Sequence, residues 1–135
     1  GGGAAILLGG PGNDALRGGT RRDLFIGGVG LDQINAAGAS DLLIAGRTAY
    51  DADQAALAAI LAEWSAAGGY QDRVARLRAG TGGHVQPLGI KLTHNQTVFD
   101  DTVVDKLWGG SEMDWFFFDP SRDQPLDKLA SEINR

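Results

Sequence analysis

Asp14, Asp23, Asp32 and Asp41 recur every nine residues and are the only acidic residues before Arg47. Each follows a turn-forming stretch rich in small residues, so the pattern offers anionic oxygens beside exposed backbone carbonyls. That is ligand chemistry for a hard divalent cation, with glycine allowing the positive φ that aims carbonyls inward. Written in nines from Gly9, the units are GGPGNDALR, GGTRRDLFI, GGVGLDQIN and AAGASDLLI. The eighth position is apolar in each, at Leu16, Phe25, Ile34 and Leu43. A carboxylate and an inward apolar side chain therefore repeat in phase, which a plain glycine-rich linker does not require.

The pattern G-G-x-G-x-D-x-U-x resembles the repeats-in-toxin, or hemolysin-type, calcium-binding β-roll. The resemblance implies turns and short strands in which two units make one coil, with calcium held between turns two units apart. It implies a first site from the carboxylates of Asp14 and Asp32 and the carbonyls of Gly9, Pro11, Gly28 and Gly30. A weaker second site would use Asp23, Asp41, Gly18 and Thr20, because this edge departs from the motif. Arg21 replaces the fourth-position glycine, and Ala36 and Ala37 replace the opening pair, at roughly 1 kcal/mol wherever positive φ is required. Arg21 or Arg22 is expected to bring a guanidinium to the Asp23 and Asp41 carboxylates in place of part of the ion's charge.

After Arg47 the period becomes helical. Thr48 and Asp51 form a T-x-x-D start signal, Leu57, Ile60, Leu61 and Trp64 share one face, and Gly68-Gly69 ends the run. A second helix is expected over 70–79, with Val74 and Leu77 inward and Arg73, Arg76 and Arg78 largely solvated. Segments of β character follow at 89–93 and 97–99. The nines then return at Asp105, Asp114 and Asp123, with Leu107 and Phe116 inward, and these aspartates are further candidate metal ligands. The run from Thr48 to Asp51, Glu63-Trp64, Tyr70 to Leu77, Thr97 to Asp101 and Asp114 to Phe117 is similar to regions following such repeats in large, planctomycete-like bacterial surface proteins. The expected fold is mainly β: a parallel β-roll (nonapeptide solenoid) with a helical hairpin insertion and a degenerate C-terminal roll or cap. The segments are 1–47 for the calcium-binding repeats, 48–80 for the hairpin and 81–135 for the C-terminal β segment, together one compact unit.

Composition narrows the function classes. The 135 residues carry a formal charge of −5 and contain no cysteine. An acidic balance argues against a nucleic-acid surface, and the missing thiols exclude disulfides and thiolate zinc sites. No run reaches the roughly 20 apolar residues of a membrane span. Gly1 to Leu8 lacks a basic n-region and a cleavage pattern, so it does not read as a signal peptide; a start in mid-pattern reads as a piece of a larger parent chain. His84 and His94 lack further ligands at zinc spacing, and Asn95-Gln96-Thr97 reads as an incidental acceptor triplet. The expectation is a non-enzymatic, structural Ca2+-binding region of a secreted or cell-surface protein. The resemblance implies folding on calcium outside the cell. Two alternatives are an adhesion or carbohydrate-binding module using Trp108, Trp115 and the Asp100-Asp101 loop against a polysaccharide or cell-surface component, and a hydrolase using the C-terminal acidic cluster.

Overall fold

The computed structural model describes residues 4–135; the reading of the chain's start at Gly1, Gly2 and Gly3 lies outside the described residues. Five three-residue strands come first: β1 (Ile6–Leu8), β2 (Ala15–Arg17), β3 (Leu24–Ile26), β4 (Gln33–Asn35) and β5 (Leu42–Ile44). After β6 (Arg47–Thr48) come α1 (Gln54–Ser65) and α2 (Tyr70–Ala79), then β7 (Val98–Phe99), β8 (Lys106–Trp108), β9 (Trp115–Phe117), β10 (Gln124–Pro125) and β11 (Ile133–Asn134). Apart from β6 and β7, which pair with each other antiparallel, successive strands alternate between two parallel sheets, one ordered β1-β3-β5-β9-β11 and the other β10-β8-β4-β2. Neighbouring strands are two nonapeptides apart, as in Leu24 opposite Leu42 and Leu16 opposite Ile34. Across the helical segment the same pairing continues, with Ile34 opposite Leu107 and Leu43 opposite Phe116.

The expected fold class is corrected by this arrangement. The molecule is a small α/β domain with parallel sheets of five and four strands and two helices. It is not a mainly β nonapeptide solenoid carrying a hairpin insertion and a separate degenerate cap. The C-terminal strands are not a closing segment, because β8 and β9 sit inside the sheets beside β4 and β5. The helices are not an accessory either. Leu24, Ile26, Leu42, Ile44, Trp115 and Phe117 form one core with Ala56, Leu57, Ile60, Trp64, Val74 and Leu77 of α1 and α2.

The physical reason is visible in the strands. β3, β5 and β9 are buried at all three positions, as strands with both faces covered must be. Phe25, Leu43 and Phe116 point between the sheets toward Ile34 and Leu107, and the flanking residues point to the helices. In the four-stranded sheet only the middle residue of β4 and of β8 is fully buried. Three layers follow: helices, five-stranded sheet, four-stranded sheet.

Several local expectations are also corrected. α1 begins later than the T-x-x-D signal. Thr48 donates through its backbone N and Oγ1 to Asp51 Oδ1 at 3.0 and 2.6 Å, closing a turn, while Asp53 caps the helix by accepting from Ala56 N at 3.0 Å. Residues 89–93 form no strand, although Ile90 and Leu92 are buried. Arg73 is buried rather than solvated.

Two turn alanines carry strain. Ala37 has φ 73° and Ala39 φ 71°, where the corresponding Gly28 and Gly30 have φ 89° and 131°. The left-handed region costs an L-residue about 1–2 kcal/mol, offset in part by glycine's extra freedom in the unfolded chain. Ala37→Gly and Ala39→Gly are each expected to raise stability by roughly 0.5–1 kcal/mol, read as the midpoint of denaturant unfolding.

Candidate functional site: two carboxylate ladders

Each repeated aspartate sits just before a strand, where its carboxylate meets the backbone of the adjacent turn. On one edge Asp14 N donates to Asp32 Oδ1 at 2.9 Å, Asp32 N to Asp105 Oδ1 at 2.7 Å, and Asp105 N to Asp123 Oδ1 at 2.9 Å. On the other edge Ala5 N donates to Asp23 Oδ1 at 2.7 Å, Asp23 N to Asp41 Oδ1 at 2.7 Å, Asp41 N to Asp114 Oδ1 at 2.8 Å, and Asp114 N to Glu132 Oε2 at 2.8 Å. The structure thus brings Asp14 and Asp32 together and, separately, Asp23 and Asp41. It splits the C-terminal trio, with Asp105 and Asp123 on the first edge and Asp114 on the second. Glu132 was missed by the motif because it is not aspartate, yet it lies nine residues after Asp123.

One oxygen per carboxylate is thereby engaged, and the second separates the positions. Oδ2 of Asp14, Asp32 and Asp105 on the first edge is buried without a hydrogen-bond partner, as is Oδ2 of Asp41 and Asp114 on the second. Asp23 Oδ2 instead accepts from Gly19 N at 3.2 Å, and Asp123 Oδ2 from Asp119 N at 2.8 Å. The orphaned oxygens lie inside their own turns. A Cβ on Gly27 would stand 2.7 Å from Asp32 Oδ2 and 2.6 Å from the Ala45 carbonyl, so this position admits only glycine. Among the described residues no hydrogen bond ends on the carbonyls of Gly9, Pro11, Gly28 or Gly30.

An unpartnered buried carboxylate oxygen raises proton affinity, since desolvation penalises the charged form. Burial, against the hydrogen bond from Asp14 N, pushes the Asp32 carboxyl up to about 6, with the Asp14 and Asp101 charges adding to the rise. The same cause pushes Asp41 up to about 8, Asp105 to about 8 and Asp114 to about 9. Asp123 is raised as well, again by burial first. Such oxygens suit a proton or a cation, and an anionic carboxylate oxygen is the donor a hard ion such as calcium prefers. Among the described residues no three His, Asp or Glu side chains converge into a metal-holding group; the carboxylates come one per turn.

The turn carrying Gly18 and Thr20 departs from the others. Positions two and four have positive φ in the turns of Gly10 and Gly12, Gly28 and Gly30, Ala37 and Ala39, and Gly110 and Glu112, but not at Gly19 and Arg21. The guanidiniums do not reach the carboxylates, which corrects the expected role of Arg21 and Arg22. Arg22 Nη1 donates to the Ala66 carbonyl at 3.3 Å, and among the described residues neither arginine is ion-paired with Asp23 or Asp41.

The residues named for the other readings are dispersed. Trp115 is fully buried, 5.8 Å from the Trp64 ring, so it cannot contact a glycan. Asp101 Oδ2 accepts from Gly30 N at 3.0 Å, and Asp100 Oδ2 binds His94 Nε2 at 2.9 Å and Arg135 Nη2 at 2.6 Å. Asp105 and Asp114 lie on opposite ladders and do not face one another across a single cleft. Among the described residues no helix is long and apolar enough to cross a membrane. No family model, curated protein or solved structure matches this chain.

Proposed function

We propose that this chain is a structural calcium-binding segment of a secreted or cell-surface protein, with its principal site on the edge of Asp14 and Asp32. The observation that carries this reading is the set of buried, unpartnered Oδ2 atoms on Asp14, Asp32 and Asp105. Residues that would hold the ion are Asp14 and Asp32, with backbone oxygens of Gly9, Pro11, Gly28 and Gly30. When bound, calcium supplies the positive charge that these desolvated carboxylates lack, and its binding free energy adds to folding. A millimolar external calcium level would then favour the folded state, and a low cytosolic level would not.

The second edge is the weaker one. Asp23 has both oxygens engaged by backbone N–H groups, and the Gly18–Thr20 turn lacks the left-handed pair. Calorimetric titration of the metal-free protein is expected to show Asp14→Ala lowering calcium affinity at least tenfold, against less than about threefold for Asp23→Ala. Equal losses, or no calcium heat in the unmodified chain, would overturn the assignment.

One observation favours a second, adhesive role. The outer face of the four-stranded sheet is uncovered, and a shallow groove there is lined by Arg17, Gln33, Asn35 and Trp108. A half-exposed indole beside amide and guanidinium groups suits a sugar ring. Loss of polysaccharide binding on Trp108→Ala, with calcium affinity intact, tests it.

A further inference from the structure

Arg73 is a buried cation without an acidic partner. It is 3% exposed; Nη1 donates to the Trp64 carbonyl at 3.4 Å, Nη2 to Ser40 Oγ at 3.2 Å, and Nε has no partner. Its guanidinium carbon lies 4.5 Å from the centre of the Trp64 ring. Burial, then the charges of Arg22 and Arg76, pulls its pKa down to about 10. Arg76 is neutralised by Glu63 at 2.9 Å, but Arg22 reaches only a carbonyl and Arg21 makes no ion pair or hydrogen bond among the described residues. The guanidiniums of Arg73, Arg22 and Arg21 are therefore answered here by one carboxylate, that of Glu112, whose charge reaches Arg73.

Ser40, the hydroxyl that Arg73 touches, is also part of the wall of a cavity of about 450 Å3. Thr20, Arg21, Arg22, Ser65 and Glu112 line the same space, between the Gly18–Arg22 turn and the end of α1. A buried charge without a directly bonded counterion is costly, so an anion placed here lowers the cost of holding Arg73. Guanidinium forks match the oxygen spacing of sulfate and phosphate, and the Thr20 and Ser65 hydroxyls add neutral donors. The volume far exceeds the roughly 30 Å3 share of one water, leaving room for more than a bare ion.

We infer that this cavity binds an oxyanion, a sulfate or phosphate group carried on a sugar-sized molecule. The site needs no metal and lies away from the first-edge carboxylates of Asp14 and Asp32, on a turn of the weaker edge that lacks the left-handed pair. Glu112 on the wall opposes the anion and sets its affinity.

The test is calorimetric titration of the calcium-saturated chain with glucose 6-sulfate, glucose 6-phosphate and inorganic sulfate, each against chloride of matched ionic strength. Saturable binding at one site, with a Kd on the order of millimolar or tighter, is expected. Arg21→Ala and Arg22→Ala should each weaken it about tenfold, and Glu112→Gln should strengthen it severalfold. Lys91→Ala, exposed beyond α2 and outside both the cavity and the groove of Trp108, should leave it unchanged. Tighter binding of the esters than of inorganic sulfate identifies a sugar-borne group, and equal binding identifies the free ion. The inference is overturned by the absence of saturable heat with all three, or by Lys91→Ala weakening binding as much as Arg22→Ala.

Discussion

Trp64→Ala is expected to remove about 3–5 kcal/mol of folding stability, a large share of the roughly 5–15 kcal/mol of a typical domain. The indole is fully buried and joins α1 to α2 and β9. It packs against Trp115 at 5.8 Å and Tyr70 at 6.0 Å, and supports the Arg73 guanidinium at 4.5 Å. Its Nε1 also donates to the Ser40 carbonyl at 2.9 Å, which the substitution leaves without that donor. Chemical denaturation should show one cooperative transition at a much lower midpoint. A loss under about 1 kcal/mol would mean that α1 and α2 are peripheral to the fold, as an inserted hairpin on an independent roll would be.

Without calcium, stability is expected to fall as pH rises from about 4 to about 9. Folded Asp32 holds its proton to about 6, Asp41 and Asp105 to about 8 and Asp114 to about 9, each raised from 3.8. Within that window the folded state binds more protons than the unfolded state, so raising the pH favours unfolding. Below the window both states are protonated and the penalty disappears; above it the penalty is complete. A tenfold change in proton affinity corresponds to about 1.4 kcal/mol, and after allowance for relaxation the combined loss is on the order of several kcal/mol. Asp114→Asn isolates one contributor, because it keeps the Oδ1 that accepts from Asp41 N at 2.8 Å and removes the charge. At pH 8 in chelator it should stabilise the protein by about 1–2 kcal/mol, the new amide donor offsetting part of the gain, and at pH 5 it should not. Equal effects at the two pH values would show that burial of charge on the ladder is not what limits the metal-free state.

Much of this arrangement was legible in the spacing of particular residues. The nine-residue interval from Asp14 to Asp41 corresponds to strand register, with Leu16 opposite Ile34 and Phe25 opposite Leu43. What the motif hid was the role of the helices. The clue lay in the seventh and ninth positions: Leu24-Phe25-Ile26, Leu42-Leu43-Ile44 and Trp115-Phe116-Phe117 are apolar throughout, whereas Ala15-Leu16-Arg17 and Gln33-Ile34-Asn35 alternate. Continuous apolar triplets in alternate units demand a second covering layer, and α1 and α2 supply it together with Val85, Ile90, Leu92 and Val98. Glu132 was readable by phase but not by residue type. Arg73 shares the helix face of Tyr70, Val74 and Leu77, so its inward position was readable by phase but not by residue type, and only the tertiary arrangement supplies Ser40 and the Trp64 ring. Which carboxylate oxygen remains unpartnered is likewise set by turn geometry: Gly19 N engages Asp23, and no N–H engages Asp32 Oδ2.

Thermal unfolding of the unmodified chain at pH 8, followed by circular dichroism during a calcium titration from chelator, tests the first-edge site most directly. A midpoint that climbs with calcium concentration is expected, with the climb abolished by Asp32→Asn and retained by Asp23→Asn. A midpoint that stays the same from chelator to millimolar calcium, in a chain already fully folded, would contradict it.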